Sequence, residues 1–135
     1  MIIVDASVAV KWVVSEVGSA EAAALLQQPL GAPALWLSEA SNALWAKVMR
    51  RQLTPEEARG QAADLAEAPL ASIALPGLLP AAMRMALELE HPIYDCFYLS
   101  AAVQKDTHVV TADQRFFTKV AAHPALAERV KMLGA

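Results

Sequence analysis

Four acidic residues lie within or directly after apolar segments of the sequence, where charged side chains are uncommon. Asp5 follows IIV, Glu39 lies in LSEASNALW, Asp95 lies in PIYDCFYLSAAV and Asp113 follows HVVTA. Carboxylates that a fold brings together in an apolar setting raise each other's pKa unless a cation lies among them. Hard oxygen ligands of this kind suit Mg²⁺ or Mn²⁺, which also bind substrate phosphates. The four residues are therefore candidate catalytic residues and metal ligands.

The chemistry that such a site performs is hydrolysis of a phosphodiester bond. One or two divalent ions would polarise the scissile phosphate, lower the pKa of a bound water and stabilise the leaving oxygen. Each acid taken singly also has a structural interpretation. Asp5, Asp95 and Asp113 are placed to cap helices, and Glu39 is placed to favour a helix N-terminus through the helix dipole. Only the set of four favours the metal site.

Three polar neighbours are candidate supporting residues. Thr111 lies two positions before Asp113 on an alternating strand and so points the same way, and Ser7 lies just beyond the first strand. Asn42 lies three residues after Glu39 and so on the same helical face. The two hydroxyls would bond to a carboxylate or to a metal-bound water, although helix capping or a satisfied core hydroxyl explains each of them equally well.

The elements that position these residues alternate between short β-like runs and longer helical patterns. Pro29, Gly31 and Pro33 are predicted to form a turn. The predicted strands are MIIVD, ALW, ASIAL, THVVTAD and VKMLG. The predicted helices are SVAVKWVV with Ser7 as N-cap, GSAEAAALLQQ, a segment from about Ser38 to Arg51, a segment from Thr54 to about Glu67, LLPAAMRMALELEH, the segment that follows Pro92, and DQRFFTKVAA.

Strands separated by helices predict parallel pairing in an α/β sandwich with right-handed crossovers. Ligands bind at the carboxyl ends of the strands in open α/β sheets, and this rule brings Asp5 and Asp113 to one edge. With 135 residues, we expect a single domain, residues 1–135. No apolar run approaches the roughly 20 residues that cross a membrane, and MIIVDAS is a poor signal peptide, so we expect a cytoplasmic protein.

The net charge of −3 argues against a protein that grips nucleic acid through a broad basic face. It does not exclude a nucleic-acid enzyme, because a divalent ion at an acidic site supplies positive charge locally. The histidines are His91, His108 and His123, and their spacing predicts neither a metal pair nor a catalytic dyad.

The segments IIVDASVAVKW, LSEASNALW, TPEEA, IYDCFYLSAAV and VVTADQRF, in this order and spacing, resemble the PIN domains of VapC-type toxins from bacterial and archaeal toxin–antitoxin systems. The resemblance covers essentially the whole chain. It implies a three-layer α/β/α sandwich with a central parallel sheet, and Mg²⁺- or Mn²⁺-dependent ribonuclease activity on an RNA substrate. It also implies a homodimer and a cognate VapB-type antitoxin that inserts a C-terminal segment into the active-site groove.

Carried over by position, the resemblance implies that Asp5, Glu39, Asp95 and Asp113 form the family's acidic quartet. Many relatives have a further acid a few residues after the one that matches Asp113, whereas QRFF offers none here. The sequence therefore leaves open whether the site binds one metal ion or two. The accompanying polar positions of the family are matched by Asn42 and Thr111.

Basic residues near the acidic edge are candidates for contacts with RNA phosphates or antitoxin carboxylates. Arg50 and Arg51 close a helix, where interaction with its C-terminal dipole is the simpler interpretation. Lys11, one turn after Ser7, is the stronger candidate. The full set is Lys11, Lys47, Arg50, Arg51 and Arg115.

The leading hypothesis is a metal-dependent endoribonuclease that acts as a toxin until its antitoxin binds. The alternative is a catalytically inert PIN-like binding module that sequesters a partner. A phosphotransfer or receiver-like domain with an aspartate as nucleophile is disfavoured, because Asp5 is followed by Ala6 and Ser7 and not by a second acid two residues on.

Overall fold

The computed structural model describes all of residues 1–135, and a five-stranded, fully parallel sheet lies at its centre. The strand order is β3-β2-β1-β4-β5, so the two strands that precede acids, β1 and β4, are neighbours. The strands are β1 Ile2–Val4, β2 Leu30–Pro33, β3 Leu70–Ile73, β4 Val109–Thr111 and β5 Val130–Met132. The predicted α/β fold with a central parallel sheet is confirmed.

Seven α-helices flank the sheet, and two short 3₁₀ turns, Val10–Trp12 and Ala127–Arg129, complete the fold. None of the helices combines the length and the apolar character that a bilayer crossing requires. The helices are α1 Ala6–Ala9, α2 Ser19–Leu25, α3 Trp36–Met49, α4 Pro55–Ala66, α5 Leu79–Leu89, α6 Ile93–Gln104 and α7 Gln114–Ala121.

Apolar side chains pack on both faces of the sheet, as the alternation of side chains along a strand requires. Ile3 and Val109 belong to the larger cluster, which contains buried residues of α3, α5, α6 and α7. Their neighbours Val4 and Val110 belong to a smaller cluster on the opposite face, with Ala22 of α2. The sheet is therefore the middle layer of three.

The strand predicted at ALW is wrong, because Trp36 begins α3 and the strand is Leu30–Pro33. The same finding corrects the predicted turn, since Gly31 and Pro33 lie in this strand. Strand β2 is buried along its length between β1 and β3, where small apolar residues fit. A Cβ at position 31 would lie 2.4 Å from the sulfur of Met1, so a larger residue there would displace this flexible, half-exposed side chain. Pro33 is tolerated as the last residue of the strand.

The predicted helix over SVAVKWVV is shorter than expected, and its N-cap is Asp5 and not Ser7. Asp5 has extended backbone angles, and its Oδ1 accepts a hydrogen bond from the Val8 amide at 3.2 Å. Helix α1 ends at Ala9 and continues as the 3₁₀ turn. The capping interpretation of Asp5 is thus correct, and Ser7 is free for other contacts.

The predicted start of α4 is confirmed. Thr54 Oγ1 accepts a hydrogen bond from the Glu57 amide at 3.1 Å, and Glu57 accepts one from the Thr54 amide at 2.9 Å. Pro55 occupies the first helical position, where its missing N–H has no consequence. Helix α4 packs beside α3, which carries Glu39.

Candidate active site

The carboxyl ends of β1 and β4 are joined by hydrogen bonds around Ser7. Its hydroxyl donates to Asp5 Oδ1 at 2.5 Å and accepts from the Ala112 amide at 2.9 Å. The Ser7 oxygen also lies 3.5 Å from the Thr111 hydroxyl oxygen. The structure therefore brings Asp5, Ser7 and Thr111 together at the predicted edge of the sheet.

Asp5 is a buried carboxylate, with only 4% of its surface exposed. Burial, with a smaller contribution from the negative charge of Asp95, raises its pKa to about 6, although hydrogen bonds from Ser7, Thr111 and Val8 act in the opposite direction. Asp5 forms no salt bridge within the chain. A buried carboxylate without a cationic partner is unfavourable for folding, so this position fits a site that receives a cation.

Glu39 lies in the first turn of α3, and its Oε1 accepts a hydrogen bond of 2.5 Å from the Tyr98 hydroxyl. Burial raises the pKa of Glu39, the Tyr98 hydrogen bond lowers it, and the charge of Asp95 raises it. Tyr98 is buried, and burial together with the Glu39 charge raises its pKa, so the phenol remains a neutral donor. Sequence reasoning missed Tyr98, although its position three residues after Asp95 places both on one face of α6.

Asp95 lies in the first turn of α6, and its charge raises the pKa of both Asp5 and Glu39. Its Oδ2 lies 2.6 Å from His91 Nε2. This contact was not predicted from the sequence, where the spacing of the histidines indicated neither a metal pair nor a catalytic dyad. The spacing of four residues is a usable signal, but Pro92 between them indicated a break in the helix and hid it.

Asp113 is exposed and caps α7, with its Oδ1 accepting from the amides of Arg115 at 2.9 Å and Phe116 at 3.2 Å. It shares a cleft of about 360 Å³ with Asp95. Arg115 and Lys119 line the same cleft. Asp113 thus has the capping role and also faces the space beside Asp95.

Asn42 is exposed on α3, one turn after Glu39, and forms no hydrogen bond with the acids. The structure therefore places it in the middle of α3, without a hydrogen bond to any of the four acids.

Lys11 donates to Glu16 at 3.2 Å, and Lys47 donates to the other carboxylate oxygen of Glu16 at 3.0 Å. The two ammonium groups lower the pKa of Glu16. A second cleft, of about 430 Å³, is lined by these three residues, Arg50 and Ser7. Positive charge therefore adjoins the acidic edge, although Glu16 partly neutralises it.

The remaining basic candidates differ in position. Arg115 lines the cleft of Asp95 and Asp113. Arg51 has a φ of 60° directly after Arg50, the C-cap of α3, and lines a separate depression beside Thr54. Arg115 is thus the closer of the two to the acids.

The donor chemistry of Asp5, Glu39 and Asp95 fits a hard divalent cation. No three His, Cys, Asp or Glu side chains lie close enough to form a metal cage by themselves. Mg²⁺ keeps several waters and is commonly bound through one or two carboxylates plus substrate phosphates, so it does not require such a cage. The residues therefore fit this ion in charge and ligand type.

Comparison with known proteins identifies a family. The model of the PIN domain matches residues 2–122, whereas no curated protein matches the sequence. A crystal structure of a protein from Pyrobaculum aerophilum is 22% identical, with 87% of this chain and 78% of that chain covered and a TM-score of 0.69.

Two further similar structures are named as toxins or toxin complexes. One is a toxin–antitoxin complex from Klebsiella pneumoniae, with 15% identity, 87% of this chain and 90% of that chain covered, and a TM-score of 0.61. The other is VapC20 of Mycobacterium tuberculosis, described as a sarcin–ricin loop cleaving toxin, with 16% identity, 87% and 94% coverage, and a TM-score of 0.66. At these identities the likeness shows a shared fold.

Proposed function

The chain belongs to the PIN domain family, and on that premise we propose that it is a Mg²⁺- or Mn²⁺-dependent endoribonuclease, the toxin of a VapC-type toxin–antitoxin pair. The observation that carries this proposal is the placement of Asp5, Glu39 and Asp95 around one edge of the sheet, where Asp95 is near enough for its charge to raise the pKa of the other two carboxyls. A similar structure that is described as a toxin cleaving the sarcin–ricin loop supports RNA as the substrate class.

The acidic quartet would hold the ion, with Asp5, Glu39, Asp95 and Asp113 as the candidate ligands. A bound divalent ion supplies polarisation of the scissile phosphate and activation of water. The protein's own part is to hold the carboxylates. The Ser7 hydroxyl would hold Asp5 in place through its 2.5 Å hydrogen bond to Oδ1.

Tyr98 would hold Glu39 in the same way, through its 2.5 Å hydrogen bond. Thr111 contributes to the hydrogen bonding of Asp5. These donors would preserve the positions of the acids while substrate and ion exchange. Asn42 is exposed and forms no hydrogen bond with the acids, so it has no part in holding them.

The RNA substrate and the antitoxin would compete for the same basic residues beside the acids. Arg115 lines the cleft beside the acids, and Arg50 lines the second cleft with Lys11, so both clefts offer positive charge to RNA phosphates or antitoxin carboxylates. Arg51 lies further away. A toxin–antitoxin complex among the similar structures supports a VapB-type antitoxin as partner. RNA as substrate implies action in the cytoplasm.

A homodimer is proposed from an exposed apolar stripe on α5. Leu79, Met83 and Leu87 recur every four residues and are 44%, 46% and 72% exposed, so they lie on one face of the helix. The opposite face, which includes Ala82 and Met85, is buried in the core. A contiguous apolar stripe of this kind is typical of a surface that a partner covers.

The test is cleavage of a mixed RNA substrate by antitoxin-free protein with Mg²⁺, with Mn²⁺ and with chelator. Asp95→Asn is the matched control, because it keeps the size of the side chain and removes its charge. Metal-dependent cleavage by the wild type that disappears in the variant supports the proposal. Equal cleavage by both proteins would contradict it and indicate a contaminating nuclease.

The alternative is an inert binding module that keeps the PIN fold without catalysis. The two functions differ in metal binding. An inert module would capture its partner protein and fail to bind Mn²⁺, whereas the nuclease binds Mn²⁺ and loses that binding in Asp95→Asn.

A further inference from the structure

His91 lies in the short connection between α5 and α6, directly beside the candidate site. Glu90 ends α5 in the left-handed region with a φ of 51°, and Pro92 precedes the first residue of α6. This reversal points the His91 side chain back toward α6, where its Nε2 lies 2.6 Å from Asp95 Oδ2. The side chain of His91 is 14% exposed and that of Asp95 is 30% exposed. Since an ionised carboxylate only accepts hydrogen bonds, the imidazole N–H is the donor.

The imidazole is also held on its other side by α7. Its ring packs against Phe116, with ring centroids 5.5 Å apart and an angle of 31° between the ring planes. Phe116 is fully buried, and its backbone amide donates to Asp113 Oδ1 at 3.2 Å. One side chain therefore contacts Asp95 directly and packs on the turn of α7 that Asp113 caps.

We propose that His91 is a positioning residue for Asp95, one that fixes the orientation of its carboxylate for a divalent cation. The inference rests on the proposed metal-dependent function and names a residue that the acidic quartet does not include. Hydrogen bonding to Oδ2 leaves Oδ1 as the oxygen available to a cation. Partners of this kind orient metal-binding groups, and their loss commonly weakens metal affinity about 10- to 100-fold.

Without such a partner, Asp95 would have no other hydrogen bond in the chain to select one rotamer. Its charge influences Asp5 and Glu39, so its orientation affects the whole group of acids. Because His91 itself is anchored by the buried Phe116 ring, the orientation is set by the core and not by solvent.

Two substitutions separate the hydrogen bond from the packing. His91→Phe keeps an aromatic ring against Phe116 and removes the donor, whereas His91→Gln loses the ring and keeps an N–H group near the position of Nε2. The measurement is the affinity of the RNA-free protein for Mn²⁺, from the electron paramagnetic resonance signal of free Mn²⁺, for wild type, both variants and Asp95→Asn. Thermal unfolding in chelator checks that each variant is folded, and His91→Leu replaces His91→Phe if that variant is not.

We expect Mn²⁺ to bind about tenfold or more weakly to His91→Phe, and within about threefold of the wild-type affinity to His91→Gln. Three results would each overturn the positioning role while leaving the metal site intact. His91→Phe could bind Mn²⁺ as tightly as the wild type, it could bind Mn²⁺ more tightly, or both variants could bind Mn²⁺ equally weakly. A wild type that binds Mn²⁺ no better than Asp95→Asn would instead overturn the proposed function, and this inference with it.

Discussion

Replacement of the buried Asp5 by asparagine is expected to stabilise the metal-free protein at neutral pH, although it removes a candidate catalytic residue. The asparagine carbonyl oxygen can accept the same hydrogen bonds from Ser7 and Val8 that Asp5 Oδ1 accepts. What the substitution removes is the negative charge, whose burial raises the pKa of Asp5.

The magnitude follows from the pKa. Each pKa unit corresponds to about 1.4 kcal/mol, so a rise from 3.8 to about 6 corresponds to about 3 kcal/mol at a pH well above 6. The new NH₂ group occupies a buried position, where imperfect pairing costs about 1 kcal/mol or more. The Thr111 hydroxyl lies near enough to Asp5 to lower its pKa, so its oxygen is available to accept from the NH₂ group. The expected net gain in the free energy of unfolding is about 1–2 kcal/mol.

The pH dependence has a definite sign. Between about pH 4 and pH 6 the folded state binds more protons at Asp5 than the unfolded state does, so this residue's contribution to stability falls as the pH rises. Asp5→Asn lacks that dependence. The difference between the two proteins should therefore be small near pH 4, grow up to about pH 6 and stay constant above about pH 7.

The assay is urea unfolding in chelator at several pH values, with Asp113→Asn as the matched control. Asp113 is an exposed N-cap, so its variant keeps the cap and loses only a favourable interaction with the helix dipole, about 0.3–1 kcal/mol. Saturation with Mn²⁺ should stabilise the wild type, by about 2.7 kcal/mol at 100 times its Kd, and not Asp5→Asn. A destabilised Asp5→Asn at neutral pH, or a gain that does not change with pH, would refute the reasoning.

Three further predictions concern residues around the site and the α5 stripe. Tyr98→Phe leaves the half-buried Glu39 without its donor, so we expect a loss of about 1–3 kcal/mol in urea unfolding together with weaker Mn²⁺ binding; unchanged Mn²⁺ binding would contradict a role for this phenol in the site. Glu16→Gln frees the two lysine ammonium groups that it bridges, so RNA binding measured in chelator should become tighter and its salt dependence steeper, and an unchanged slope would place RNA elsewhere. Leu87→Glu should convert a dimer to a monomer in light scattering, whereas Val17→Glu, at a residue that is 93% exposed outside the stripe, should not; a dimer in both would locate the interface on another surface.

Much of the fold could be predicted because its signals are local. The Thr54 capping box and the apolar runs before Asp5 and Asp113 depend on neighbours within a few residues, and the structure confirms them. Strand β2 was missed because its residues fit a site between two other strands and beneath Met1, contacts that are distant in sequence. Gly31 therefore resembles a turn residue in sequence although it lies within a buried strand.

In the candidate site, the positions of the acids could be predicted from the sequence, but the hydrogen-bond donors around them could not. The rule that ligands bind at the carboxyl ends of parallel strands places Asp5 and Asp113 together without any knowledge of side-chain contacts. It does not supply the donors, since the bond between Tyr98 and Glu39 joins residues 59 positions apart. His91 lies only four residues from its partner, but Pro92 obscured the pattern.

The hydrogen-bond donors to the four acids share a property that helps to explain how these carboxylates stay in place without a bound cation. Each acid has a hydrogen-bond donor of its own, and none of the donors is a lysine or arginine side chain. A neutral donor offsets part of the desolvation of a carboxylate without neutralising its charge, so the residual repulsion remains available to favour a divalent ion. A lysine in the same place would satisfy the carboxylate and compete with the ion. The pairs are Asp5 with Ser7, Glu39 with Tyr98, Asp95 with His91, and Asp113 with the amides of Arg115 and Phe116.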